Sequence, residues 1–559
     1  MRTRGAREWA LPALTIAAAG LLAYLPALGA GFVFDDHDFV EQSRVLRDPL
    51  WRIWAGTATT DYWPLTWTSL WVEWRLWGPS PAGYHATNVA LHLAAALLLW
   101  RALAALKLPG AWLAGLLFAV HPVGVESVAW ISERKNVLSA LPFLGAVLAW
   151  VSFEEGGRRR DYAAALLLFL VALLAKTSVV MLPPVLLLLA WYRRGRLERR
   201  DWVRTAPFFA LALLFGLVTM WFQWSRALPA QALAARGPGE RLAGAAWALL
   251  FYLRTAFLPF DLAFVYPDWP VAPGSPLFYL PLALVLGALA AAWLLRRSRL
   301  RPVLLALGYH ALLVLPVLGL VEIAYFHVGP ASNHLQYLAL IGPVALVAAG
   351  LARLSDGRWR VPALLASAAA TLVLLVATNI RARTFRDDAT LWQAATRDSP
   401  QSLYAAWMYG NALIESGRHA EARAELAAMA LRARDEATRL RARSLWSFYS
   451  GLPAQAVAEA EAAERLRSSP SFQAHLGQLL ARAGQPAEAI AVLGPLVQRA
   501  PRYADARYWL AAALSRAGRL EEAAAVLREG CRLLPNDTRL REALASVQAR
   551  LEGRPQPRP

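Results

Sequence analysis

The sequence predicts an all-α protein in two parts, a polytopic helical membrane domain followed by a C-terminal α-solenoid. Three observations carry this reading. Hydrophobic residues make up 57% of the 559-residue chain, with a mean hydropathy of +0.36, and almost all of the long apolar blocks precede residue 380. Much of the Arg lies in short segments between those blocks, which is the positive-inside pattern of a multi-span protein. The last third, rich in Ala, Arg and Glu, repeats a helix-turn signal at a nearly constant period.

The net charge of +19 therefore reports topology, and a nucleic-acid partner is not expected. The single cysteine, Cys531, cannot form an intrachain disulfide. The N-terminus is basic and then apolar for about 22 residues, longer than a signal-peptide core, so it reads as a retained span. With about 20 apolar residues per crossing, spans fall near 9–30, 87–106, 111–128, 137–152, 161–175, 177–192, 205–224, 277–295, 302–321, 335–352 and 361–380, about 11 in all.

Charge orients these spans. Segments carrying Arg2, Arg4 and Arg7; Arg101 and Lys107; Arg158 to Arg160; Arg193 through Arg204; Arg296 through Arg301; and Arg353, Arg358 and Arg360 alternate correctly if the N-terminus is cytoplasmic. An odd count then puts the C-terminal part outside. Residues 161–192 have Arg clusters at both ends; as one helix they would measure about 48 Å against a core of about 30 Å. A hairpin turning at "AKTS" resolves this and sets Lys176 at the outer surface. Residues 242–265, interrupted by Arg254, Pro259 and Asp261, read as an interfacial or re-entrant segment. The Trp-rich outer loop 31–86 suits an interfacial helix lying flat at headgroup depth.

After the spans, "ESGRHAEA", "YSGLPAQA", "RAGQPAEA" and "RAGRLEEA" place Gly417, Gly451, Gly484 and Gly518 at spacings of 34, 33 and 34 residues. That is the tetratricopeptide period. Gly410 and Gly477 stand seven before the turn, and Ala422, Ala456, Ala489 and Ala523 five after it, where two helices approach closely. Pro501 and Pro535 close the third and fourth repeats, and the second repeat is the weakest. The expected division is 1–384 membrane domain, 385–553 solenoid of about four repeats, and 554–559 disordered tail.

"FDDHDFV", "DYWPLTWTSLW", "GYHATNVALH", "FAVHPVGVESVAWISERKNVLSAL", "AKTSVVMLP", "DLAFVYP" and "RDDATLWQAATRDSP" together resemble segments of the TMTC (transmembrane and tetratricopeptide repeat-containing) proteins and their bacterial relatives. Those proteins are similar in turn to the protein O-mannosyltransferases. The resemblance implies a GT-C glycosyltransferase fold and a polyprenyl-phosphate-linked sugar donor. It also implies transfer on the non-cytoplasmic face of the bacterial inner membrane, with the repeats periplasmic and open to a protein or peptide acceptor. A divalent metal is compatible but not implied. Where relatives often carry an Asp in the late outer loop, this chain has Asn333, followed by His334.

Inverting glycosyl transfer needs a base for the acceptor hydroxyl and cations for the departing phosphate. Asp35 and Asp36 are the catalytic candidates, against a bland role capping the membrane boundary. The base is assigned to Asp36, on the premise that the preceding span holds Asp35 more rigidly. Arg134 and Lys135 of "SERK", and Lys176, are candidates for the lipid phosphate, against headgroup anchoring. His121, Glu126 and His334 complete the substrate-binding set in hydrogen-bonding roles, and His37 reads as a solvated neighbour. Two other classes compete: a non-catalytic scaffold for envelope proteins, which leaves the polar outer loops unexplained, and a lipid-linked sugar transporter, which calls for charges deep in several spans.

Overall fold

A computed structural model describes residues 6–57, 59, 61–227, 237–271, 274–321, 323–433, 435–534 and 537–552. Arg2, Arg4, Pro535 and the expected tail 554–559 lie outside them. Among the described residues every regular element is helical. The chain forms two compact units: Met1–Glu41, Asp61–Gln223 and Arg236–Leu391 make the first, and Gln42–Thr60, Trp224–Ala235 and Trp392–Pro559 the second.

In the first unit each of the eleven expected spans has an apolar helical segment, but a count of 11 crossings is not confirmed. Among the described residues six helices are long and apolar enough, by length and composition, to cross a bilayer: Trp9–Gly29, Pro81–Ala105, Ile131–Gly156, Arg199–Arg226, Pro276–Leu295 and Arg360–Phe385. A seventh is formed if Ala111–Ala119 and Pro122–Ala129, bent by 51°, are one span. Proline marks several helix starts, because it lacks an N–H and is favoured in a helix's first turn, although Pro12, Pro142 and Pro207 stand inside long helices. Pro122 restarts the chain after His121, Pro183 and Pro184 fix the start of Leu182–Arg194, and Pro302 that of Arg301–Val314. Ile341–Ser355 has only 15 residues.

The stretch 161–192 does turn where expected. Helix Arg159–Ala175 stops, Lys176 is extended, and a short 3-10 turn, Thr177–Met181, leads into Leu182–Arg194. The Trp-rich stretch forms helix Pro64–Trp77, which buries Trp67, Leu70 and Glu73 and is fastened to the hairpin by Thr66 Oγ1 donating to the Ala175 carbonyl at 2.8 Å. Residues 242–265 contribute most of helix Pro238–Phe257. The last long helix is tied back by polar contacts: Thr378 Oγ1 donates to Val120 O at 2.7 Å and Asn379 Nδ2 to Leu22 O at 2.9 Å.

The second unit carries four helix pairs: Leu403–Glu415 with His419–Arg432, Glu436–Tyr449 with Pro453–Leu466, Pro470–Arg482 with Pro486–Arg499, and Ala504–Arg516 with Leu520–Leu533. A closing helix, Thr538–Leu551, is capped by Asp537, whose side chain accepts from Leu540 N at 3.0 Å. Within the third pair the helices meet at Gly477, where an added Cβ would lie 2.4 Å from Leu493 Cγ. The second pair, weakest in sequence, uses polar packing instead: Ser447 Oγ donates to Glu459 at 2.7 Å, and Ser444 Oγ lies 2.7 Å from His475 Nε2.

Candidate active site

The candidate site lies in the first unit, where the turn after the first long helix meets the segment "WISERKN". Two stretches converge there. Asp36 is fully buried and accepts from three main-chain N–H groups: Ser132 at 2.7 Å through Oδ1, and Val33 at 3.3 Å and Ile131 at 3.4 Å through Oδ2. These are donors that a chain entering a helix leaves unpaired. Asp35 is partly exposed and held through one oxygen: Oδ1 accepts from Trp130 Nε1 at 2.7 Å and Ser132 Oγ at 2.5 Å, while Oδ2 takes part in neither bond. The premise behind choosing Asp36 is thereby reversed, since Asp36 is the immobilised carboxylate and Asp35 the accessible one.

Their protonation follows from this. Loss of water pushes Asp35 up to about 6, against the pull of Lys135 and its hydrogen bonds. Asp36 is pushed up to about 8 by deeper burial and by the Asp35 charge, although three N–H groups favour its ionised form. Burial thus favours the protonated form of both carboxyls, and more strongly that of Asp36. Asp61, also withdrawn from water and accepting from Gln223 Nε2 at 2.5 Å, is raised too.

The cations divide into two groups. Lys135 Nζ is 2.6 Å from Glu133 Oε1 and lies over Trp63, 5.0 Å from the ring centre, and over Phe39 at 5.7 Å. Lys176 reaches the same region: its Nζ donates to Asn136 Oδ1 at 2.5 Å and sits 3.6 Å from Glu133 Oε2. Arg134 does not join them. It is 0% exposed, donates from Nε to Asn88 Oδ1 and from Nη2 to the Tyr84 carbonyl, both at 2.8 Å, and pairs through Nη1 with Glu73. Its donors are spent on joining three helices, so the expected phosphate contact is corrected to an internal one.

His121 is placed apart, its Nδ1 accepting from Val123 N at 3.3 Å and so capping the Pro122–Gly124 turn. Glu126 and His334 belong to a buried polar knot. Glu126 accepts from Ser332 Oγ (2.9 Å), Asn333 Nδ2 (2.6 Å), His334 N (3.1 Å) and Arg381 Nη2 (3.0 Å), and lies 3.3 Å from His334 Nδ1. The knot touches the lysine pair through His334 Nε2, 3.7 Å from Glu133. It also accounts for the amide at 333: Asn333 donates to Glu126 and to Ala263 O and accepts from Tyr266 Oη at 2.9 Å. A carboxylate there would face Glu126 without a proton between them. Among the described residues no group of three His, Cys, Asp or Glu side chains could hold a metal ion.

His37 is partly exposed and paired on both ring nitrogens. Its Nδ1 is 2.5 Å from Glu41 Oε2 and its Nε2 2.7 Å from Asp388 Oδ2, and the bond to Asp388 raises it to about 9. Asp388 Oδ1 in turn accepts from Phe34 N at 2.8 Å.

Tetratricopeptide repeat families match residues 380–438 and 480–547. A protein O-mannosyl-transferase of Caenorhabditis elegans is 30% identical over 159 residues, 25% of this chain and 23% of that protein. Protein O-mannosyl-transferase tmtc2 of Xenopus laevis is 36% identical over 153 residues, and Protein O-mannosyl-transferase TMTC2 of Homo sapiens 33% over 153, each covering 25% of this chain and 18% of its own length. The chain is TMTC-like. It spans about a fifth of the length of these curated relatives. Among solved structures, YrrB, a TPR protein, is 18% identical with a TM-score of 0.21, covering 31% of this chain and 88% of its own; a likeness at that score carries no weight.

In this TMTC-like, multi-pass membrane protein, reading the sequence missed Glu133, Asp61, Asp388 and Arg381. Three of them sat in quoted segments, Glu133 in "SERK", Asp61 in "DYWP" and Asp388 in "RDDATLW", whose acidic residues were the available signal.

Proposed function

We propose that the chain is a GT-C-type membrane glycosyltransferase. It moves a sugar from a polyprenyl-phosphate-linked donor to a protein or peptide hydroxyl on the non-cytoplasmic face of a bacterial inner membrane. The observation that carries this reading is Asp35: partly exposed, with Oδ2 outside its two hydrogen bonds, and raised to about 6. A base is most useful when its pKa lies near the working pH. Asp35 takes the acceptor's proton as the acceptor oxygen bonds to the anomeric carbon. The bond from that carbon to the phosphate oxygen breaks, and its electron pair leaves on the phosphate. Asp36, protonated and fixed, supports the turn. Lys135 and Lys176 supply positive charge for the phosphate, with Glu133 keeping both oriented before the donor arrives. The repeats dock the acceptor chain.

The test is mass spectrometry of envelope glycoproteins from cells with and without the gene, complemented by the wild-type chain or D35N. Loss of one glycan class, restored by wild type and not by a stably inserted D35N, supports the reading. An unchanged glycan profile overturns it.

A further inference from the structure

The segment that follows the last long helix has no part in the transfer step, yet it grips the catalytic turn. Gly31 N donates to Arg386 O at 2.9 Å. Asp388 uses both oxygens on the turn, Oδ1 on Phe34 N at 2.8 Å and Oδ2 on His37 Nε2 at 2.7 Å, across more than 350 residues of sequence. Its position at the start of helix Asp388–Asp398 does not explain this, because the capping role falls to Asp387, whose Oδ1 accepts from Thr390 N at 2.8 Å. The gripped turn also needs holding: Phe34 has φ +52°, in the left-handed region that non-glycine residues avoid. Asp35 lies between the two anchored residues.

Resting on the glycosyltransferase reading above, we propose that Asp388 is a positioning residue for transfer. It fixes the 34–37 turn from both sides so that Asp35 presents Oδ2 to the acceptor while Asp36 stays seated on the N–H groups of 131–132. The effect runs through main-chain geometry, since Asp388 contacts neither carboxylate of the pair. His37 is the lever: its ring couples Asp388 to Glu41, so the turn is held on both flanks.

The test compares wild type, D388A and D388N in the full chain in lipid nanodiscs. Transfer is measured from a polyprenyl-phosphate mannose to a serine- and threonine-containing peptide, and amide hydrogen exchange is followed in peptides covering 31–41 and 127–136. Asparagine preserves volume and one acceptor, and it stands in where alanine fails to fold. Positioning predicts a kcat lower by about 10- to 100-fold, the range for a misplaced reacting group, with KM for donor and acceptor unchanged. It also predicts faster exchange at both peptides, because Ser132 N–H loses its seated partner Asp36. Wild-type kcat in either variant overturns the proposal, as does exchange that rises only in 31–41. If the wild-type chain transfers no mannose, that donor is excluded and the glycan comparison above decides the glycosyltransferase reading on its own, while exchange at 127–136 still decides whether Asp388 holds the turn.

Discussion

Asp36 spends both oxygens on main-chain N–H groups, and Asp35 spends one on side chains. Replacing each by Asn therefore has different consequences. D35N should lose about 10²–10⁴-fold in kcat, as expected for a missing general base, with little change in melting temperature. D36N turns an amide NH2 toward main-chain N–H donors and should cost about 1–3 kcal/mol of stability, read as a lower melting temperature. Two titrations frame the pH dependence. Asp35 must be ionised, so activity falls as pH drops through about 6. His37 is raised from 6.5 to about 9 by Asp388 and Glu41, so its contribution is complete below 6.5 and lost as pH climbs through about 9. Because Asp36 is pushed up to about 8, the fall at high pH should begin before His37 titrates, and a profile with no acidic limb near 6 excludes Asp35 as the base. Arg134→Ala should destabilise the fold, by about 3–5 kcal/mol for a broken buried pair, and a thermal melt with unchanged midpoint would contradict the internal pairing. The acidic pair, Lys135 and Lys176 were legible because charges at the edge of an apolar block stand out. Arg134 was misread because its partner, Glu73, sits inside a Trp-rich stretch that reads as surface. Asp388 was hidden in a charged run far along the chain, where only folding brings it to residue 34.

Helices were easier to read than sites, because each announces itself locally. The four turn glycines of the repeats all have φ between +72° and +83°, a conformation only glycine adopts freely, and their period gave the solenoid directly. The hairpin at Lys176 was legible from length and charge alone. What local pattern did not give was length, because Pro122, Pro183 and Pro302 start new helices while Pro12, Pro142 and Pro207 stand inside long ones. Close packing makes its own prediction. G477A would drive a Cβ to 2.4 Å from Leu493 Cγ, an overpacking that costs about 1–3 kcal/mol. Hydrogen exchange across 470–499 should quicken in that variant, and unaltered protection would show that the two helices part without penalty.

For the whole chain, charge alternation predicts a cytoplasmic N-terminus, and an odd number of crossings, as when the bent pair Ala111–Ala119 and Pro122–Ala129 forms one span, predicts extracytoplasmic repeats. A membrane-impermeant thiol reagent should reach a surface cysteine engineered near Cys531 in intact cells. Labelling only after the inner membrane is opened would reverse the topology. The short apolar helices bear on the lipid as well. Ile341–Ser355 has 15 residues, rising about 23 Å against a hydrocarbon core of about 30 Å. A crossing made by this helix alone costs fractions of a kcal/mol per Å of mismatch. The expected consequence is a melting temperature higher in short-chain than in long-chain phosphatidylcholine, and an unchanged midpoint across chain lengths would show that neighbouring segments complete the crossing.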